Sequence, residues 1–251
     1  MAHRGRPRPR GAAPGRSTGA AAAGRILTAR LVADGLAGQR EAIAVLQAGG
    51  IIGLPTDTVY GIAVALTTPG GIERLFAVKE RPPDKAIVVL ADSLEQVEVL
   101  VEVPDLGRRL AYRYWPGALT LVLPVRPDAR LPLALTAGTR TLGVRVPGHP
   151  TPRSLARAVG PLPTSSANRS GNADCRDAGS VAAALGQHLD LILDGGASPG
   201  GVPSTVVDCT GPEPRVLREG AIPGSEIARA AGMAEGSSAG GAGGAEEAEL
   251  R

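Results

Sequence analysis

The residues best suited to do chemistry are polar side chains that follow short apolar segments. The first group is residues 55–61, Pro-Thr-Asp-Thr-Val-Tyr-Gly, directly after the apolar residues 51–54. Hydroxyl groups are costly to bury unless something hydrogen-bonds to them. The run is therefore either a tight turn, in which Thr and Asp side chains satisfy nearby backbone groups, or the wall of a polar binding site. This segment alone favours neither interpretation.

A cationic segment at residues 79–85 suits contacts with phosphate. It holds Lys79 and Lys85, the only lysines in a chain with 27 basic residues. A lysine ammonium makes a compact point contact with a phosphate oxygen, and Arg81 adds a planar, forked donor. The alternative is a solvated helix end whose cations complement the helix dipole.

Further polar groups lie beside apolar segments later in the chain. They are residues 163–171 (Pro-Thr-Ser-Ser-Ala-Asn-Arg-Ser-Gly), residues 203–205 (Pro-Ser-Thr), Arg218, and Arg145 within the alternating segment 141–146. An arginine inside a strand must face solvent or meet an anion. Together these groups predict a pocket of hydroxyls, an amide and cations without a nucleophile–base pair. Such a pocket positions phosphates and carboxylates rather than forming covalent intermediates.

Several other chemistries are disfavoured. A P-loop sequence is absent, so a nucleotide would be held in another way. Cys175 and Cys209 could pair with His149 or His188, but no known motif flanks them and their spacing is not that of a zinc site. We therefore expect no metal held by protein ligands. Aromatic residues are only 2%, too few for a stacking surface for single-stranded nucleic acid. No apolar run approaches the roughly 20 residues that a membrane span needs.

The elements that must position these residues alternate between helix and strand. This alternation predicts an α/β fold with helices packed on a twisted sheet. Helices are predicted at residues 40–47, 72–79, 94–101, 106–114, 154–159, 181–185 and 225–231, and strands at residues 51–54, 86–90, 119–125, 141–146, 189–193, 205–208 and 215–217.

Charge is unevenly distributed and divides the chain into three parts. Residues 1–33 carry seven arginines and no acid, and residues 232–251 carry four glutamates and one arginine, in a chain of net charge +3. The remaining part is therefore close to neutral. We predict a disordered Arg-rich tail at residues 1–33, a folded domain at residues 34–231 and a flexible tail at residues 232–251. A near-neutral domain argues against general attraction to nucleic acid.

Seven motifs in order resemble one family, the YrdC-like (TsaC-type) threonylcarbamoyl-AMP synthases. The resemblance covers residues 38–230. The motifs are Pro-Thr-Asp-Thr-Val-Tyr-Gly at 55–61, Lys-Glu-Arg-Pro at 79–82, Trp-Pro-Gly-Ala-Leu-Thr at 115–120, residues 141–145, Ser-Ser-Ala-Asn at 165–168, Pro-Ser-Thr-Val-Val-Asp at 203–208 and Leu-Arg-Glu-Gly at 217–220.

The resemblance implies a twisted mixed sheet with flanking helices around a deep basic cavity, in the single-domain form of the family. It also implies a reaction of L-threonine, bicarbonate and ATP, accompanied by Mg²⁺, that yields threonylcarbamoyl-AMP and pyrophosphate. The product would pass in the cytoplasm to proteins that modify the tRNA adenosine next to the anticodon. Carried over by motif, the threonine-binding residues are Thr56, Arg145, Ser166 and Ser204. The ATP-binding residues are Lys79, Arg81, Thr141, Asn168 and Arg218, with Lys79 and Arg81 as the catalytic cations.

Two alternatives remain at this point. One is an RNA-binding YrdC-like module without synthase activity, whose affinity the arginine tail would increase. The other is a related carbamoyl-adenylate chemistry on another acceptor, as in hydrogenase-maturation carbamoyltransferases, although those chains are much longer. The sequence also departs from the family pattern at Arg176, at Glu219 and at residues 86–90, which affects the outer ATP contacts.

Overall fold

A mixed sheet forms the centre of the computed structural model, which describes residues 1–2, 28–80, 87–169 and 171–232. Within these residues the strands are β1 Arg30–Ala33, β2 Ile52–Leu54, β3 Gly61–Ala63, β4 Val88–Leu90, β5 Leu119–Pro124, β6 Thr141–Arg145, β7 Leu162–Ser166, β8 Leu191–Asp194, β9 Thr205–Asp208 and β10 Arg215–Arg218. Their order across the sheet is β1-β8-β2-β3-β7-β4-β6-β5-β9-β10. Strand β4, for example, is parallel to β6 and antiparallel to β7. The predicted α/β fold with a twisted mixed sheet is confirmed.

Helices flank the sheet and close two apolar cores. The helices of the described chain are α1 Leu36–Gln47, α2 Gly71–Lys79, α3 Leu94–Glu98, α4 Asp105–Tyr114, α5 Leu133–Thr136, α6 Pro150–Val159, α7 Ala178–Leu185 and α8 Gly224–Ala230, with a 3-10 turn at Gly186–His188. Leu46 of α1 and Leu155 of α6 lie in one core, and Leu75 of α2 and Leu110 of α4 lie in the other. No helix among the described residues has both the length and the apolar character needed to cross a bilayer.

Local sequence signals explain where several helices begin. Helix α6 has Pro150 in its first turn, and the His149 ring nitrogen Nδ1 accepts a hydrogen bond from Thr151 N at 3.2 Å. Helix α7 begins after Asp177, which accepts from Ser180 N at 2.7 Å and forms a reciprocal capping box with that residue. Such caps satisfy backbone donors that have no partner inside the helix.

The predicted domain boundary at residue 33 falls too late. Arg30–Ala33 form the edge strand β1, in which Arg30 lies opposite Leu191 of the parallel strand β8. Three of its four residues are exposed, so backbone pairing holds this strand and its side chains show no apolar pattern. Most of both predicted tails, residues 3–27 and 233–251, lies outside the described residues.

No strand was predicted at the hydroxyl-rich residues 163–171, and the structure has one there. The first residues of this segment belong to β7, which lies inside the sheet between β3 and β4. The polar residues of β7 hid it from an apolar-pattern analysis, because a central strand normally consists of apolar residues. Other predicted elements are present with shifted ends: α1 begins at Leu36 rather than at residue 40, and α6 at Pro150 rather than at residue 154.

Candidate active site

A cavity of about 140 Å³ opens among the middle strands of the sheet and is lined by hydroxyl and charged groups. Its polar lining residues are Thr56, Thr58, Tyr60, Thr120, Arg145, Thr164, Ser165, Ser166, Asp174, Ser204 and Arg218, and its apolar wall includes Ile87, Val88 and Leu90. Five of the nine predicted site residues therefore meet here, namely Thr56, Arg145, Ser166, Ser204 and Arg218. They come from separate strands and loops, which the sheet brings together.

Arg145 is held at the end of β6 by three different segments. Its Nε donates to Gly117 O at 2.9 Å, Nη1 donates to Thr58 Oγ1 at 2.9 Å, and Nη2 donates to Asp57 Oδ1 at 2.6 Å. A guanidinium has five N–H groups, so one N–H on each Nη is left for a ligand. Burial lowers the pKa of Arg145, and the Asp57 carboxylate opposes that shift. An arginine nevertheless stays protonated at neutral pH, so a fixed cation faces the cavity.

The segment at residues 55–61 is both a turn and a wall of the cavity. Thr56 Oγ1 donates to Val59 O at 2.7 Å and accepts from Thr58 N at 3.1 Å, which closes the turn. The hydroxyls of Thr56 and Thr58 also lie 3.0 Å apart and line the cavity. The two interpretations of this segment are therefore compatible.

Ser204, which also lines the cavity, is held in place by a threonine and an arginine. Its hydroxyl lies 2.8 Å from Thr120 Oγ1, and Arg218 Nη2 donates to Ser204 O at 2.8 Å and to Ser204 Oγ at 3.3 Å. Arg218 is an exposed residue, and the partial desolvation of its guanidinium lowers its pKa. A Cβ at Gly220 would lie 2.3 Å from Pro203 O, so only glycine allows β10 and its following turn to approach Ser204 this closely.

Lys79 reaches the cavity indirectly through Ser166. It is the last residue of α2, it is 2% exposed, and it does not itself line the cavity. Its Nζ donates to Ser166 O at 2.5 Å, Ser166 Oγ at 3.1 Å and Asn168 Oδ1 at 3.3 Å. Asn168 is oriented in turn by donating to Asn172 O at 2.6 Å. The predicted ATP-binding residues Lys79 and Asn168 thus form one buried cluster directly behind a lining serine.

Thr141, predicted to bind ATP, does not line this cavity. Thr141 begins β6 and is separated from Arg145 by about 13 Å of strand. Its hydroxyl lies 2.9 Å from Thr139 Oγ1. Arg81, predicted to bind ATP, lies outside the described residues, as does Lys85. The roles of both predicted residues remain predictions.

Four residues of the site were not selected individually from the sequence. Asp57 and Thr58 hold Arg145, Thr120 holds Ser204, and Asp174 lines the cavity. The first two lie in the hydroxyl-rich run and Thr120 ends the Trp-Pro-Gly motif, so the motifs contain them but do not reveal their partners. Nothing in the sequence near Asp174 indicates its position.

Neither cysteine lines this cavity. Across the described ranges, no cluster of three or more His, Cys, Asp or Glu side chains is arranged to hold a metal ion. Cys175 and Cys209 are buried free thiols. Burial raises the pKa of Cys209 to about 12, so this thiol is not a reactive thiolate at neutral pH.

A family model for Sua5, YciO and YrdC proteins, with the description "Telomere recombination", matches residues 44–220. The chain belongs to the Sua5/YciO/YrdC family. This confirms the family predicted from the seven motifs. The match spans all the strands and loops that line the cavity, so the site lies entirely within the family domain.

Similar proteins of this family carry a specific activity name. The chain is 37% identical over 189 residues to the threonylcarbamoyl-AMP synthase of Bacillus subtilis, covering 74% of this chain and 54% of that protein. It is 32% identical over 185 residues to the threonylcarbamoyl-AMP synthase of Photobacterium profundum, covering 72% of this chain and 98% of that protein. The chain thus spans about half of the first relative and nearly all of the second.

A solved structure shares both the fold and much of the sequence. It is P. abyssi Sua5 complexed with L-threonine, with a TM-score of 0.75 and 35% identity, covering 81% of this chain and 60% of that one. The described fold is therefore that of the Sua5/YciO/YrdC family.

Proposed function

We propose that this member of the Sua5/YciO/YrdC family is an L-threonylcarbamoyladenylate synthase, which joins L-threonine, bicarbonate and ATP in the cavity at Arg145. The observation that carries the proposal is the convergence of two arginines and several hydroxyls on one cavity, whose described lining holds no histidine to activate a hydroxyl. The names of the Bacillus and Photobacterium relatives support the same activity and make the chain an enzyme of the nucleotidyltransferase class.

Threonine binds at the end of the cavity where Arg145 lies. The two remaining Nη N–H groups take the carboxylate in a pair of charge-assisted hydrogen bonds. Thr56, Ser166 and Ser204 offer hydroxyls to the rest of the substrate. The apolar wall at Ile87 and Val88 contacts the threonine methyl group, which discriminates against serine by about 1–3 kcal/mol. The threonine complex of P. abyssi Sua5 supports this substrate.

ATP binds next to threonine, where Arg218 lines the cavity and Lys79 and Asn168 lie behind Ser166. Arg81 and Thr141 complete the proposed contacts. Among the described lining residues, Asp174 is the single acid, so Mg²⁺ would be held mainly by the phosphates, whose negative charge it would help to neutralise. The site residues thus favour a metal that enters with ATP.

The reaction requires one anion to approach another. Bicarbonate and the threonine amine lose water to give an N-carboxylate, whose oxygen then attacks the α-phosphate of ATP. The new O–P bond forms as the bond to pyrophosphate breaks. Repulsion between the two anions is the main obstacle, and the positive charges of Lys79, Arg81 and Arg218 would offset it.

The compartment and the partners follow from this chemistry. The free thiols of Cys175 and Cys209 are compatible with a reducing compartment, which we take to be the cytoplasm. The mixed anhydride product reacts readily, so we infer transfer to a downstream threonylcarbamoyl-transfer protein acting on tRNA. Weak, salt-dependent RNA binding would come from the arginine-rich residues 1–33 rather than from the near-neutral domain.

Pyrophosphate release tests the proposal. We expect release only when threonine, bicarbonate and ATP are present together, and release that continues without threonine would contradict it. Lys79→Met should lower turnover at least about tenfold, because it removes the buried positive charge and the hydrogen bonds that the ammonium group donates. Arg74→Met, on an exposed face of the same helix, is the matched control and should leave turnover unchanged. RNA binding without pyrophosphate release would support the alternative of an RNA-binding module.

A further inference from the structure

A second cavity, of about 210 Å³, lies between α3, α4 and α6, apart from the site described above. Its lining residues are Asp92, Ser93, Leu94, Ala111, Tyr112, Trp115, Pro116, Val146 and Arg153, none of which lines the first cavity. Most of this surface is apolar, and two of its members are aromatic. The proposed reaction makes no use of it.

The polar groups at this cavity leave one cation available to a ligand. Arg153 Nε donates to the backbone oxygen of Asp92 at 3.1 Å, which directs the side chain but uses only one of five N–H groups. The Asp92 carboxylate accepts from Arg157 Nε at 2.9 Å, so its negative charge already has a partner. Among the residues that line this cavity, the positive charge of Arg153 is therefore the one available to a ligand.

The aromatic residues supply a surface rather than hydrogen bonds. Trp115 Nε1 donates to Leu119 O at 2.7 Å, so the indole N–H is already satisfied within the protein. Tyr112 is 73% exposed and presents its ring at the rim of the cavity. Pro116 and Val146 add apolar surface beside the indole.

We propose that this second cavity binds a small carboxylate with an apolar, preferably aromatic, body. The body would lie against Trp115 and Tyr112, and the carboxylate would bind the terminal nitrogens of Arg153. An apolar cavity with one well-placed charged group is the usual form of a small-molecule site. Binding here does not depend on the synthase reaction, so this proposal and the proposed function can fail separately.

The chain offers a direct measurement, because Trp115 is its single tryptophan. Indole fluorescence therefore reports on the surroundings of a residue that lines this cavity. Phenylacetate is the probe, with 2-phenylethanol as its neutral analogue and acetate as the anion without a ring. We expect a saturable fluorescence change with phenylacetate, at least about tenfold weaker affinity for 2-phenylethanol, and no saturation with acetate, because one charge-assisted hydrogen-bond pair is worth about that factor.

Arg153→Gln should reduce the affinity for phenylacetate about tenfold and bring it close to that for 2-phenylethanol. Arg113→Gln removes an exposed arginine of α4 that does not line the cavity, and it should leave the affinity unchanged. Calorimetric titration of the same variants checks that the signal is binding. The proposal is overturned if phenylacetate gives no saturable change, if the neutral analogue binds equally well, or if both variants behave like the wild type.

Discussion

Asp57 Oδ1 lies 2.6 Å from Arg145 Nη2, and this ion pair joins the turn after β2 to the end of β6. Both side chains are largely buried, with 19% of the Asp57 side chain and 6% of the Arg145 side chain exposed. The pair orients the guanidinium before a substrate arrives. Preorganisation of this kind lowers the cost of binding because little side-chain freedom is lost on binding.

Asp57→Asn should therefore impair threonine binding more than the chemical step. The amide keeps an oxygen acceptor for Nη2 but loses the charge, so we expect the KM for threonine to rise about tenfold with a smaller fall in kcat. Stability should fall by about 1–3 kcal/mol. Steady-state kinetics and urea unfolding measure both effects. Asp208→Asn, which removes the partner of the exposed Arg215, is the control, and an equal rise in KM there would contradict a specific role for Asp57.

The hydrogen bond between Thr120 and Ser204 permits a second, isosteric test. Thr120→Val removes the hydroxyl that lies 2.8 Å from Ser204 Oγ while it preserves the side-chain shape. We expect the KM for threonine to rise several-fold and the stability to change by about 1 kcal/mol. Thr136→Val, at another buried threonine that bonds to Leu133 O, should affect stability alone. Unchanged kinetics for Thr120→Val would show that Ser204 needs no such support.

A substitution at Gly220 tests how closely the turn after β10 packs against Ser204. An alanine Cβ would meet Pro203 O at 2.3 Å and the Ser204 carbonyl carbon at 2.5 Å, so Gly220→Ala must displace this backbone. We expect a loss of about 1–3 kcal/mol in unfolding free energy and reduced turnover. Gly211→Ala, where a Cβ meets nothing within 4 Å, is the matched control. Equal stability of the two variants would contradict the tight packing at residue 220.

The raised pKa of Cys209 predicts that the free energy of unfolding decreases at alkaline pH. Burial raises the pKa of its thiol from 9.0 to about 12, and the nearby Asp208 carboxylate adds to the rise. The folded state therefore keeps a proton that the unfolded chain loses above pH 9.0, so this stabilisation is complete below pH 9.0 and disappears as the pH rises towards about 12.

Comparison with Cys209→Ala isolates the effect. The raised pKa values of Tyr60 and Cys175 are common to both proteins and cancel in the difference. Urea unfolding across this range should show the wild type losing stability relative to the variant by up to about 1.4 kcal/mol per pH unit. A difference that stays constant with pH would contradict the shift.

Much of this fold was predictable because its helices and strands have clear patterns. Helix α2 shows buried Ile72, Leu75 and Phe76 on one face, and strand β9 was predicted with its observed ends. Strand β1 was missed because an edge strand of four mostly exposed residues gives no apolar signal. Strand β7 was missed because the hydroxyls that line the cavity occupy positions where a central strand is usually apolar.

The site itself was predictable at the level of motifs but not of contacts. Thr56, Ser166 and Ser204 were identified as residue types that suit substrate binding, and the sheet brings them to one cavity. The partnership of Asp57 with Arg145 spans 88 positions, and that of Thr120 with Ser204 spans 84. Contacts over such separations depend on strand order, which local patterns do not contain.

The carbonyl of Gly117 holds Arg145 Nε, and the amide of the same residue donates to Val146 O at 2.9 Å. Because this acceptor is a main-chain oxygen, a substitution can change its hydrogen bond to Arg145 only by changing the conformation of the bend that contains Gly117. Trp115 and Pro116 form that bend and also face the second cavity. A ligand that moved Trp115 or Pro116 would therefore also displace the carbonyl oxygen that orients Arg145.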